Sequence, residues 1–306
     1  TEAIHQNKAK AAAQLFHGGR YARLENLPPR APSALAAAHW GHNVPKEMSK
    51  EEIRETIEHF AQAARRAKEA GFDAVELMCS QGYLLNQFTS PLTNQRSDEY
   101  GGSFDNRLRF PLEIIQQVRQ KVEDDFPIIM RFCVEEFVPD GMGIKDTLPI
   151  AKVFEQAGVD ILDLQVGWHE ARVPSVYMTV PRGAFVYLAE AVKHELKIPV
   201  IAVNRINDPF LAEEILRQGK ADLVVAGGAD SLLGAEVALG GRRCGEGAAF
   251  VVFRPAAPGE PSIAARRETS WPSVSLPSRM RMAGRWCWAS RTTARRRDTL
   301  TRRTRW

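Results

Sequence analysis

The chain has 306 residues, of which 44% are hydrophobic and 25% charged, and its formal net charge is +4. This composition is typical of a soluble globular protein, and the lack of any run of about 18 apolar residues argues against a membrane-spanning helix. The four cysteines (79, 133, 244 and 287) are scattered without a C-x-x-C pair, so we predict neither a metal centre nor a disulfide framework.

The first residues lack the basic and apolar segments of a signal peptide. We therefore expect an intracellular protein, cytoplasmic or mitochondrial. The chain starts at Thr1 rather than at Met, which leads us to expect a fragment of a longer protein.

Between residues 10 and 227, short apolar segments alternate with amphipathic helical patterns. The segments that predict strands are 11–15, 72–78, 127–134, 161–166, 199–203 and 222–226. The patterns that predict helices are 49–70, 107–122, 147–156, 183–194 and 209–217. The first helix opens with a capping box, Ser49 and Glu52, and carries apolar residues at helical spacing.

This alternation of strands and helices predicts a parallel sheet covered by helices, an α/β fold. An eight-fold β/α barrel and an open doubly wound sheet both fit the element order. The long spacing between strands favours the barrel, which needs eight strands to close. The pattern supplies six.

The periodic pattern stops after about residue 227. Residues 240–306 contain 15 Arg, no Lys and 4 acidic residues, a net charge of +11, which leaves −7 for residues 1–239. We predict a partial barrel over 1–239 and an irregular Arg-rich tail over 240–306, disordered or translated out of frame. A basic arm that binds nucleic acid is the less favoured alternative.

Polar residues follow several of the predicted strands. Gln14, Arg131 and Arg205 lie at the ends of three strands, and His169 follows another. A buried guanidinium is costly unless an anion pairs with it, so the arginines suggest an anionic ligand at the mouth of the barrel. An ion pair with a neighbouring carboxylate is the alternative for each arginine.

Tyr83 and His169 are the candidates for acid–base chemistry, because parallel α/β folds keep their chemistry on the loops that leave the strands. A tyrosine is protonated at neutral pH and suits proton donation, and His169 would position the substrate or share the proton. Simple packing is the alternative for both.

Gly227 and Gly228 are candidates for backbone contact with a phosphate. No G-x-G-x-x-G motif follows a strand, so the sequence does not indicate a Rossmann dinucleotide site.

The loop after the second strand carries a long polar motif: GYLLNQFTSP at residues 82–91, NQRSDEYGG at 94–102 and NRLRF at 106–110. With this motif, residues 1–226 resemble the old yellow enzyme family of flavin oxidoreductases, which are FMN-binding TIM barrels. Within that family, Met78 and Gln81 stand where many members have a pair of histidines. In this respect the chain resembles the 2,4-dienoyl-CoA reductase branch.

The resemblance implies a role for each candidate residue. Gln14 would bind the pyrimidine edge of the flavin, Arg131 would lie near its N1 and O2 atoms, and Arg205 would help to bind the FMN phosphate. Tyr83 would be the proton donor, assisted by His169. The substrate contacts would come from His169, Glu170, Ala171 and Arg172.

The departures from the family pattern concern both ends of the chain. Strands 1 and 2 of the barrel are missing, so the chain supplies strands 3–8 and would leave two unpaired sheet edges. Gly228 stands where the family has a second phosphate-binding arginine. The segments that bind an iron–sulfur cluster and FAD in the larger relatives are absent. We therefore expect poor folding and weak retention of FMN.

These observations predict an FMN-dependent oxidoreductase that takes electrons from NAD(P)H and reduces a conjugated C=C bond in a small-molecule substrate, as 2,4-dienoyl-CoA reductases do, although truncation could have inactivated it. An ene-reductase that acts on α,β-unsaturated carbonyl compounds is one alternative, and a non-catalytic protein with a basic tail that binds anions is another. The sequence leaves the oligomeric state open.

Overall fold

The structure is a computed structural model that describes residues 1–6, 9–22, 28–37, 44–172, 175, 177–226, 251–253 and 285–289. The strands within these residues are β1 (Ala9–Leu15), β2 (Arg30–Ala31), β3 (Lys46–Glu47), β4 (Ala74–Cys79), β5 (Ile128–Glu135), β6 (Ile161–Val166), β7 (Val200–Ala202), β8 (Leu223–Ala226), β9 (Val251–Phe253) and β10 (Arg285–Ala289). The helices are α1 (Glu2–Gln6), α2 (Lys50–Glu69), α3 (Leu84–Thr89), α4 (Phe104–Val122), α5 (Ile144–Gln156), α6 (Val186–Lys193) and α7 (Pro209–Arg217), with a 3₁₀ turn at Gly19–Tyr21.

Eight strands form one closed sheet in the order β1-β10-β9-β8-β7-β6-β5-β4. The six strands β1 and β4 to β8 are parallel to their neighbours in this series, and they correspond to the six predicted strands. The predicted α/β fold with a curled parallel sheet of six strands is confirmed.

Two short segments of the Arg-rich tail are strands, and the rest of the predicted irregular tail lies outside the described residues. β10 pairs in parallel with β1 over five residue pairs, and β9 pairs antiparallel with β8 over three. Together they occupy the gap that the missing strands 1 and 2 would leave, so the expected unpaired edges are not found. β9 and β10 meet at a single register pair, Val251 and Cys287, so the ring closes on a narrow contact.

Helix α2 illustrates how the outer layer forms. Ser49 and Glu52 make the predicted capping box, and the buried face of the helix packs against the sheet and α4. Its buried residues are Ile53, Ile57, Phe60, Ala61, Ala64 and Ala67. The helices and the outward faces of the strands share one large apolar core.

The inside of the barrel has a second, smaller apolar core, formed by Ala12, Ala74, Ile129, Ile161, Ile201, Val203, Leu223 and Val225. Residues two positions apart on a strand point to the same face of the sheet. On β1, β4, β5 and β6, the residue two positions after the apolar one is polar, and these four residues are Gln14, Glu76, Arg131 and Asp163. The register aligns Gln14 with Glu76 and Arg131 with Asp163. The parallel strands therefore stack a polar layer on an apolar one, towards the carboxyl ends of the strands.

None of the helices in the described ranges combines the length and apolar character needed to cross a membrane.

Candidate active site

The chain turns sharply as it leaves β4. Gln81 and Gly82 have φ values of 57° and 79°, in the left-handed region. A Cβ at Gly82 would lie 2.6 Å from the Tyr21 hydroxyl and 3.0 Å from the Trp168 ring, so this position requires glycine. The turn places Tyr83 directly before α3, at the mouth of the barrel.

Tyr83 lies in a cluster of aromatic rings. Its ring centroid is 5.1 Å from that of His169, and the two rings meet edge to face. Tyr21 contacts both rings, at 6.1 Å from Tyr83 and 5.5 Å from His169, and Phe16 lies 5.4 Å from Tyr83. The fold thus brings the two predicted acid–base residues together, from loops 86 positions apart in the chain.

The surroundings of these rings set their protonation. Burial raises the pKa of the Tyr83 hydroxyl above its ordinary value of 10.0, and the positive charge of Arg131 opposes that rise. The protein atoms around His169 lower its pKa from 6.5, against the opposing effect of Glu170. At neutral pH Tyr83 therefore retains its proton and His169 is neutral.

Two residues that the sequence analysis missed, Arg20 and Tyr21, close one side of the mouth. Arg20 forms an ion pair with Glu170 through Nη2, and Tyr21 Oη donates to the same carboxylate oxygen at 2.7 Å. The Arg20 guanidinium also lies 5.4 Å from the centre of the Trp168 ring. These contacts join the loop after β1 to the loop after β6 and hold His169 between them.

The four residues predicted to contact the substrate, 169–172, differ in solvent exposure. Glu170 is engaged by Arg20 and Tyr21, and Ala171 is buried. His169 and Arg172 are exposed and face solvent. Of these residues, the structure leaves His169 and Arg172 most accessible to a ligand.

The polar layer inside the barrel contains Gln14 and Arg131. Gln14 Nε2 donates to Glu76 Oε2 at 2.6 Å. Arg131 donates from Nη1 to Asp163 Oδ2 at 3.1 Å and from Nη2 to Gln165 Oε1 at 2.9 Å. The ion pair with a carboxylate, left open as an alternative for Arg131, is therefore present. Glu76, Asp163 and Gln165 are further residues of this site that the sequence analysis missed.

Arg205 follows β7, at the exit of that strand. Asn204 and Arg205 are both left-handed, with φ values of 68° and 57°. Asn204 Oδ1 accepts from the backbone N–H of Val166 at 3.2 Å, and Arg205 Nε donates to the Val180 carbonyl at 2.8 Å. Within the part of the chain that the structure describes, the terminal nitrogens of the half-buried Arg205 donate no hydrogen bond. Gly227 and Gly228 lie outside the described residues.

The motif residues beyond Tyr83 hold the loops of the mouth rather than line it. Arg96 is bidentate to Asp98, at 2.9 and 2.6 Å, and donates to the Met48 carbonyl at 2.7 Å. Asn94 bridges the carbonyls of Phe88 and Tyr100. Buried donors that satisfy loop carbonyls in this way fix the loop conformation.

The match to known proteins decides the family. A model of the NADH:flavin oxidoreductase / NADH oxidase family matches residues 1–234. The chain belongs to this family. Its members use FMN with NAD(P)H, so the prediction of a family of NAD(P)H-linked flavin oxidoreductases is confirmed.

Bacterial relatives show the same similarity. A metal reductase of Desulforamulus reducens is 45% identical over 225 residues, which cover 73% of this chain and 34% of that protein. An NADPH dehydrogenase of Bacillus subtilis is 41% identical over 227 residues, which cover 74% of this chain and 65% of that protein. The chain therefore spans between one third and two thirds of the length of these relatives.

Solved structures agree in fold. A 2-naphthoyl-CoA reductase, in complex with 2-naphthoyl-CoA, is 31% identical with a TM-score of 0.73, covering 78% of this chain and 39% of that one. Morphinone reductase in complex with tetrahydroNAD is 29% identical with a TM-score of 0.59, covering 73% and 63%.

The donors at the mouth fit FMN. A flavin needs hydrogen-bonding groups at its pyrimidine edge and positive charge for its phosphate and its reduced ring. Gln14 on β1 and Arg131 on β5 both belong to the polar layer, and Arg205 lies at the exit of β7. Within the described residues, no group of three or more His, Cys, Asp or Glu side chains is placed to hold a metal ion.

Proposed function

We propose that this chain is the FMN-binding barrel of an NAD(P)H-linked reductase that saturates an activated C=C bond, with an enoyl- or dienoyl-CoA thioester as the substrate. The observation that carries the proposal is the Tyr83–His169 pair, with ring centroids 5.1 Å apart, at the mouth above Gln14 and Arg131. A protonated hydroxyl beside a neutral imidazole is suited to delivering one proton to a bound substrate.

Bound FMN, once reduced by NAD(P)H, would supply a hydride to one carbon of the double bond. The Tyr83 hydroxyl would give its proton to the other carbon, so that one hydride and one proton are added and the bond is saturated. His169 would hold the substrate and the Tyr83 hydroxyl in place as a neutral hydrogen-bonding partner. Arg131 would offset the negative charge that develops on the cofactor side of the reaction.

The preference for a CoA thioester rests on the residues around Tyr83. Met78 and Gln81 stand where many members of the family have two histidines, and the exposed Arg172 offers a positive charge for an anionic substrate. A complex of a related fold with 2-naphthoyl-CoA supports the same class. A CoA thioester carries phosphates that an exposed arginine attracts.

The direct test is substrate comparison. The protein is reconstituted with FMN and reduced anaerobically, and flavin reoxidation is followed after mixing with 2,4-hexadienoyl-CoA or with 2-cyclohexen-1-one. Faster reoxidation by the thioester supports the proposal. Reoxidation by neither compound, in a preparation with bound FMN, contradicts it.

An ene-reductase of α,β-unsaturated carbonyl compounds is the second candidate. The NADPH dehydrogenases among the relatives share about two thirds of their length with this chain, which favours it. In the same experiment, preferential reoxidation by cyclohexenone would select this function over the first.

A further inference from the structure

Among the residues that the structure describes, the polar layer inside the barrel holds two carboxyl groups but one guanidinium. Glu76 and Asp163 have no exposed surface, and Arg131 is 7% exposed. Asp163 pairs directly with the positive charge, since its Oδ2 accepts from Arg131 Nη1 at 3.1 Å. Two ionised carboxylates here would leave one negative charge uncompensated in the interior, which is strongly unfavourable.

The hydrogen bonds of the layer also indicate that one of the two carboxyl groups is protonated. Glu76 Oε2 accepts from Gln14 Nε2, whereas Glu76 Oε1 and Asp163 Oδ1 are buried and receive a hydrogen bond from no donor of the described residues. The two carboxyl groups are neighbours, and the charge of Asp163 disfavours ionisation of Glu76. A proton on Glu76 Oε1, donated to Asp163 Oδ1, would satisfy both oxygens at once.

We infer that Glu76 is protonated in the folded protein, donates that proton to Asp163, and is a positioning residue for Gln14. Asp163 keeps the negative charge beside Arg131, so the charges of the layer's described residues cancel. Because Glu76 Oε2 acts as the acceptor, it commits the Gln14 amide nitrogen and leaves the Gln14 amide oxygen for a ligand that donates a hydrogen bond. The consequence for FMN rests on the proposed function, but the protonation of Glu76 does not.

Burial and the charge of Asp163 raise the pKa of Glu76 well above 4.5, against the opposing effect of Arg131. Among the described residues, the titratable groups that face Glu76 are Asp163 from β6 and Arg131 from β5. An unfolded chain ionises Glu76 above about pH 4.5, while the folded chain does not. The contribution of Glu76 to the free energy of unfolding therefore decreases as the pH rises from its pKa in the unfolded chain to its pKa in the folded protein.

The test uses Glu76→Gln, which keeps an acceptor for Gln14 and a donor for Asp163 without the acidic proton. We expect its unfolding midpoint at about pH 5 to lie within about 2 °C of the wild type, and to rise relative to the wild type as the pH increases to about 8. The infrared difference spectrum between the two proteins at neutral pH should contain the carbonyl stretch of a protonated carboxyl group, absent from the variant.

Glu136→Gln is the matched control. Glu136 is also fully buried, but burial raises its pKa only to about 7, against the opposing hydrogen bonds from the Met142 backbone, Ser90 and Asn86. It is therefore ionised at about pH 8, and an amide in its place would direct an N–H group at groups that are themselves donors. We expect its midpoint at about pH 8 to fall by about 4 °C or more. If Glu76→Gln falls as far as Glu136→Gln, fails to fold, or shows no loss of a carboxyl band, Glu76 is ionised and the inference is wrong.

The consequence for FMN is tested separately by titration, following the quenching of FMN fluorescence. Glu76→Gln should bind within about twofold of the wild type, and Glu76→Leu, which removes the acceptor for Gln14, should bind at least about tenfold more weakly. Equal affinity for all three proteins would refute the positioning role. If the wild type binds no FMN, the proposed function fails while the infrared result still decides the protonation of Glu76.

Discussion

Burial gives Tyr83 a different acidity from a tyrosine in water. Its pKa is raised by desolvation, and the neighbouring His169 is held neutral by the protein around it. A hydroxyl that keeps its proton at neutral pH can act as a proton donor, and the charge of Arg131 only partly opposes the rise in its pKa. The residue type is visible in the sequence, but this environment is made by Tyr21, Phe16 and His169 from three other positions of the chain.

Tyr83→Phe removes the hydroxyl and leaves the ring contacts. We expect reduction of bound FMN by NADPH to keep its rate, and reoxidation by the unsaturated substrate to slow by about 10²–10⁴-fold, the usual contribution of a general acid. Stopped-flow absorbance of the flavin measures both half-reactions. Tyr187→Phe, on an exposed tyrosine of α6, is the control and should change neither. An unchanged reoxidation rate in Tyr83→Phe would remove Tyr83 from the proposed mechanism.

At the scale of elements, the turns between strands and helices decide where side chains meet. The predicted strands and helices lie close to their observed bounds, because apolar periodicity and the Ser49 capping box report local structure directly. The turn at Gln81 and Gly82 is different. Its left-handed backbone is required by the close approach of Tyr21 and Trp168, which belong to loops distant in the chain.

Gly82→Ala tests that turn. The new methyl group would lie 2.6 Å from the Tyr21 hydroxyl, in addition to the strain of a positive φ, so we expect a loss of about 2–4 kcal/mol in the free energy of unfolding. Gly219→Ala is the matched control, because Gly219 has a similar φ of 70° and no atom within 4 Å of its Cβ position. It should lose about 1 kcal/mol, the cost of the backbone alone. Equal losses in urea unfolding would show that the contact with Tyr21 is unimportant.

At the scale of the whole molecule, the barrel is closed by strands that the sequence pattern did not predict. β9 and β10 come from a segment without periodicity, and their pairing with β8 and β1 uses backbone hydrogen bonds, which any sequence can form. Open sheet edges attract such pairing, and a closed sheet has none. The contact between β9 and β10 is a single pair, so the closure is the thinnest part of the ring.

Removal of residues 240–306 deletes both strands and exposes the edges of β1 and β8. We expect a lower unfolding midpoint and aggregation that increases with protein concentration. Removal of residues 290–306 keeps both strands and serves as the control, which should behave as the full chain does. Thermal unfolding followed by light scattering measures both. If the shorter protein is as stable and as monodisperse as the full chain, the two strands do not contribute to closure.

The sequence by itself determined the α/β class, the six parallel strands, the family and the position of Tyr83 at a strand exit, because each is encoded in local periodicity or in one contiguous motif. Only the tertiary structure decided that Tyr83 meets His169, that Arg20 and Tyr21 hold Glu170, and that Gln14, Glu76, Arg131 and Asp163 share one layer. These contacts join positions 32 to 150 residues apart. The residues of the polar layer come together through the pairing of strands that are distant in the chain.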